Sequence, residues 1–119
     1  IDNVFKPWES HEMIGNAIPK NLQNRWKLII GTSSEKLEKI FQSIEKADIF
    51  LHDSLHTYKN MLFEFQTAWP FIKNNGFLLS DDIGDNNAFL EFYLANEGHP
   101  ILLKNTKNVE TTLGILRKN

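Results

Sequence analysis

Two short apolar runs in this chain stop at carboxylates. "ADIFLHD" ends at Asp53, and "GFLLSDD" ends at Asp81 and Asp82. If both runs are parallel strands, their carboxyl ends share one edge of a sheet, the edge where open α/β folds bind ligands. Three carboxylates gathered there repel one another, and burial raises their pKa values unless something compensates. A divalent cation is the simplest compensation. An all-oxygen set favours a hard ion, magnesium or calcium, with manganese also suited. The competing reading is that these acids cap a helix, since Ser80, Asp81, Asp82 and Asp85 precede one. One helix start does not need two acids and a third from another strand, so the shared site is preferred.

Two histidines flank the first carboxylate in "DIFLHDSLHTY". Alternation along a strand sends His52 to the face opposite Asp53, where it is expected to be packed or hydrogen-bonded. His56 falls beyond the strand end, at the rim where a substrate would sit. It is a candidate general base, substrate partner or metal neighbour; satisfying a loop carbonyl is an equal alternative. His11 and His99 fall in expected loops, and Trp8, Trp26 and Trp69 read as packing residues rather than stacking platforms.

The elements that must position these residues alternate. "KPWESHEMIGNAIPKNLQNR" carries Pro7 and Pro19 and reads as a loop with short helical turns. "RWKLIIG" reads as a buried strand closed by Gly31. Leu37, Ile40, Phe41 and Ile44 share one helical face, with Ser33 or Ser34 as the N-cap and Glu35 spaced to pair with Lys39. After the "ADIFLHD" strand, Met61, Leu62, Phe65, Trp69 and Ile72 mark a helix from about 57 to 73, with Pro70 shortening its last turn. "FLLSD" is the next strand. "NNAFLEFYLANEG" is the last helix, and "HPILLK" with "TLGILRK" is an antiparallel pair. The order is β-α-β-α-β-α-β-β in one domain over residues 1–119, a Rossmann-like α/β sheet that is mostly parallel with a C-terminal antiparallel hairpin.

Composition sets the outer limits. Residues are 41% hydrophobic and 24% charged, as in globular chains. Thirteen basic and fifteen acidic residues leave a net charge of −2, which argues against a partner held by many phosphate contacts such as nucleic acid. Without cysteine, disulfides and thiolate metal sites are excluded. No apolar run approaches the ~20 residues needed to cross a bilayer, so the expected setting is the cytoplasm, away from membranes. The opening "IDNVFKPW" starts as though at the end of a strand, and the chain is expected to be part of a longer one.

The segment "ADIFLHDSLHTYKNMLFEFQTAWPFIKNNGFLLSDDI" resembles the fourth and fifth strands of class I S-adenosylmethionine-dependent methyltransferases. The similar group reads D-x-x-(apolar)-D-G-x-H-x-Y at the fourth strand and G-G-(apolar)-D-D at the fifth. The likeness covers about Trp26 to Phe92 by motif and the rest by element order. It implies transfer of a methyl group from S-adenosylmethionine to a small-molecule hydroxyl. Asp53, Asp81 and Asp82 match the positions that hold a divalent cation, such as magnesium, in metal-dependent members. His56 matches the motif histidine, a candidate base. Asp2 resembles the acid that holds the cofactor's ribose, and Gly31, Thr32 and Ser33 follow the third strand, where the family places adenine.

The chain also departs from the pattern. Asn75 and Ser54 stand where glycines are usual. The glycine-rich E/D-x-G-x-x-x-G turn, which should precede Asp2, is not among these residues, so the isolated chain is expected to be inactive. In the complete fold two further strands lie between "WKLIIG" and "DIFLHD". These strands must then pair directly or leave a gap, which favours a rearranged sheet or strand exchange between copies. Two other readings compete. One is a non-catalytic binding or assembly module with an acidic edge. The other is a receiver-type phosphoacceptor domain, which fits poorly because its only candidate lysine, Lys104, ends an antiparallel strand.

Overall fold

The computed structural model describes residues 14–104 and 112–119. Helix α1, Ser33–Ile44, begins one residue before the expected cap: Thr32 is the N-cap, and its N–H donates to Glu35 Oε2 at 3.4 Å. This capping-box contact engages Glu35 with the helix start. Strand β1, Ala47–His52, leads to helix α2, Tyr58–Ala68, whose cap is the Thr57 hydroxyl accepting from the Asn60 N–H. Pro70 cannot donate to a continuing α-helix. A 3-10 turn at Trp69–Phe71 therefore closes α2 five residues before the boundary read from periodicity.

Strand β2, Ile72–Ser80, lies parallel to β1, with Phe50 opposite Leu78 and His52 opposite Ser80. It starts earlier than the run "FLLSD" indicates. Its first part contains Asn75 at φ 66°, a left-handed value that asparagine tolerates better than most residues. A Cβ on Gly76 would sit 2.7 Å from the Asp48 carbonyl oxygen and 2.9 Å from that of Lys73, so the close approach of β1 and β2 requires glycine. Helix α3, Ala88–Ala95, precedes strands β3, Pro100–Lys104, and β4, Thr112–Arg117, which pair antiparallel as expected.

The sheet order is β1-β2-β4-β3, with β2 and β4 also antiparallel. The described sheet is thus mixed, with its parallel crossover at β1-α2-β2. The expected strand at "RWKLIIG" takes no place in it: Trp26–Ile30 has no regular structure. A lone extended segment gains nothing without a ladder partner. Of the two outcomes expected there, direct pairing does not occur and β1 is an edge strand.

Alternation divides the sheet cleanly. Phe50 and His52 of β1, Leu78 and Ser80 of β2, and Leu116 of β4 point toward the helices. Met61, Phe65, Ile72, Leu78, Ala88, Phe89, Phe92 and Leu116 form the core, with Phe65 packed edge-on against Phe89. The opposite row is apolar but open, with Ile49, Leu51, Ile101 and Leu103 all more than half exposed. No helix among the described residues is long and apolar enough to cross a membrane.

Candidate active site

A carboxylate that the sequence reading passed over organises the site. Glu64 lies on the buried face of α2, in step with Met61, Phe65 and Ala68. Its Oε2 is 2.6 Å from His52 Nδ1, and its Oε1 accepts from Ser54 Oγ at 2.7 Å, Asn60 Nδ2 at 3.0 Å and the Ser33 hydroxyl. Burial alone would raise this carboxyl. The hydrogen bonds from His52, Ser33 and Ser54 outweigh burial and bring it down to about 2. An ionised carboxylate can only accept, so His52 Nδ1 carries a proton. The signal in the sequence was an acid placed at helical spacing among apolar residues.

Glu64 joins three elements: the start of α1 through Ser33, the end of β1 through His52, and the β1–α2 loop through Ser54. Those elements enclose a cleft of about 240 Å³. Ile29, Leu37, Ile40 and Phe50 supply its apolar wall; Gly31, Thr32, Ser33, Asp53 and Ser54 supply its polar rim. Gly31 turns into α1 at φ 148°, where any Cβ would strike the Lys36 side chain at 2.4 Å. The three residues expected to hold adenine therefore face the same space as the strand-end Asp53. Asp2 lies outside the described residues.

At the carboxyl edge the acids are distributed unevenly. His56, Asp82 and Asp85 bring one ligand atom each within 4.8 Å of one another, and Asp53 and Asp81 are not part of that group. His56 Nδ1 is 4.0 Å from Asp82 Oδ2, and its Nε2 is 3.9 Å from Asp53 Oδ1. The Asp81 N–H donates to the His52 carbonyl at 2.9 Å, extending the β1–β2 ladder. Helix capping does not occupy these carboxylates: Asn86 Oδ1 accepts from the Ala88 N–H at 2.9 Å. The same Asn86 donates through Nδ2 to the His56 carbonyl at 3.2 Å, tying the loop after β1 to the loop after β2.

Three buried polar atoms here have no partner: His52 Nε2, His56 Nε2 and Asp82 Oδ1. Each such atom costs roughly 1–3 kcal/mol if left unsatisfied. The expectation that His52 is packed and hydrogen-bonded holds, since it is fully buried and bound to Glu64. Its ring packs edge-to-face on His56, centroids 5.3 Å apart.

Comparison with known proteins now has a site to bear on. The family profile described as a methyltransferase domain matches residues 2–83. The chain belongs to that methyltransferase family. Among solved structures it is similar to an O-methyltransferase from Bacillus cereus in complex with S-adenosylhomocysteine. The TM-score is 0.60 at 15% identity, covering 82% of this chain and 53% of that one. At this identity the likeness speaks for the fold, a Rossmann-like α/β domain as expected. The chain spans about half the length of that solved relative. The comparison with curated proteins gives no match.

Proposed function

We propose that the whole protein to which this methyltransferase domain belongs transfers a methyl group from S-adenosylmethionine to the hydroxyl of a small molecule in the cytoplasm, assisted by a divalent cation. The single observation that supports this best is the cleft itself. It sets Gly31, Thr32 and Ser33 beside Asp53, so one end of a bound cofactor would lie near the carboxylates at the strand ends. An apolar wall with a hydroxyl-bearing rim suits a flat heteroaromatic ring with a polar tail. Asp2 is proposed to hold the cofactor's ribose.

Methyl transfer is an in-line displacement at carbon. The acceptor oxygen forms a bond to the methyl carbon as the carbon–sulfur bond breaks, and the sulfonium leaves as a neutral thioether. Positioning is the main demand on the protein. The proton of the acceptor hydroxyl must also go somewhere. Asp53, 63% exposed beside the cleft, is placed to take it, with His56 3.9 Å away to share that proton or to help hold the cation.

The residues present fit a divalent cation. Carboxylates Asp53, Asp81 and Asp82 end neighbouring strands, and Asp82 Oδ1 and His56 Nε2 are buried polar atoms lacking partners. A bound cation would lower the pKa of a hydroxyl held against it.

Nuclear magnetic resonance titration with S-adenosylhomocysteine tests the cofactor reading. Amide signals of Gly31–Ser33 and Asp53–Ser54 should move, and those of β3 should not. Unchanged signals around the cleft at millimolar ligand would refute the placement.

A further inference from the structure

We infer that the cation at this edge is held by His56, Asp82 and Asp85, one imidazole nitrogen and two carboxylates. It is therefore a transition ion such as manganese, iron(II), cobalt or zinc rather than magnesium or calcium. The inference rests on the cation reading above and changes its ligand set: Asp53 and Asp81 stand outside the ion's immediate contacts.

Distance is the first argument. His56 Nδ1 and Asp82 Oδ2 are 4.0 Å apart, too far for a hydrogen bond. Two atoms that each sit about 2.1 Å from one ion can be separated by up to roughly 4 Å. Asp85 completes a group whose ligand atoms lie within 4.8 Å of one another. The second argument is independent of that spacing. Asp82 Oδ1 and His56 Nε2 are shielded from solvent without any partner. Behind them stands His52, fully buried, its Nε2 also unpartnered and its ring packed edge-to-face on His56. Buried polar groups are satisfied as a rule, and three exceptions around one cluster point to a ligand the protein alone does not supply.

Asp53 gains a different task. With Nδ1 turned toward Asp82, Nε2 faces Asp53 Oδ1 at 3.9 Å. A carboxylate receiving the second ring N–H is the usual means of orienting a ligating histidine. Asn86 steadies the same arrangement from the backbone side by its bond to the His56 carbonyl. Nitrogen in the set is what discriminates between ions: magnesium and calcium take oxygen, whereas imidazole raises affinity for the first-row transition series.

Manganese(II) is the probe, added to the metal-free chain and followed by calorimetry and by pulsed electron paramagnetic resonance. Expected are binding at least tenfold tighter than for magnesium and a ¹⁴N coupling from one directly bound imidazole. His56→Gln and Asp85→Asn should each weaken manganese tenfold or more, with the ¹⁴N coupling lost only in the first. Asp85 is exposed, so its variant should fold even if the His56 variant does not. Asp81→Asn should stay within twofold of the parent. Tight binding without ¹⁴N coupling, lost on Asp81→Asn but kept in Asp85→Asn, would overturn this ligand set and leave the cation reading standing. No manganese binding by the folded chain would overturn both.

Discussion

Replacing Glu64 by glutamine exchanges one acceptor oxygen for a donor in a buried network, while volume is nearly unchanged. Three donors, from Ser33, Ser54 and Asn60, converge on Oε1, and His52 Nδ1 addresses Oε2. The amide oxygen would best keep the triple position, leaving its NH₂ against His52. The imidazole must then move its proton to Nε2, a site with no acceptor. Losing a charged acceptor and leaving a buried donor unpaired costs roughly 2 kcal/mol. For a chain of 119 residues that is a fall in Tm of about 6–12 °C at pH 7.

The pH dependence separates this account from generic damage. Glu64 is held near 2 in the folded protein against an ordinary value of 4.5. A depressed carboxyl contributes its stability fully above the unfolded value and loses it as pH falls through the folded one. The contribution is on the order of 2 kcal/mol at neutral pH, after allowance for water in the adjoining cleft. Between pH 4.5 and 2 the parent loses it; the glutamine variant has nothing to lose. Urea unfolding of both proteins at pH 7, 4 and 2.5 should show the gap narrowing to below about 1 kcal/mol. A gap that stays constant across that range, or none at pH 7, would refute the network as drawn.

Two further outcomes follow from the fold. Gly76→Ala pushes a methyl group to 2.7 Å from the Asp48 carbonyl and should cost about 2 kcal/mol or more in urea unfolding, because backbone on both sides has to yield. The open row Ile49 and Leu51 lies on edge strand β1, so the chain should associate with itself at high concentration. Sedimentation velocity should show the parent heavier than a monomer and the Ile49→Lys, Leu51→Lys double variant monomeric. Equal sedimentation would mean the edge is not the contact.

The parts of this molecule that sequence discloses are those set by local periodicity. Alternation in "DIFLHD" placed His52 on the inner face and Asp53 at the strand end, and the 3.6-residue spacing of Met61 and Phe65 placed α2 under the sheet. "WKLIIG" shows the limit. It has the composition of a strand, but a strand exists only with a neighbour, and no neighbouring strand lies beside it among the described residues. Asn75 and Pro70 likewise moved boundaries through backbone geometry that composition does not encode.

The site divides along the same line. Carboxylates at strand ends are visible because chain direction alone sends them to one edge, but which of them meet is a tertiary matter. Asp82 turns through a left-handed backbone, φ 46°, and it is Asp82, not its neighbour Asp81, that is gathered with His56 and Asp85. Glu64 is the sharper case. An acid among apolar helix positions reads as a flaw in the pattern until its four partners, drawn from α1, β1, the loop and α2 itself, are seen to converge on it. Those contacts make the cleft and the acidic edge mechanically one unit. A change in Ser33 at the cleft reaches Glu64, then His52, and finally the histidine packed against it at the edge. Glu64 is thus where the cleft and the edge are physically coupled, and a local sequence pattern carries no record of that coupling.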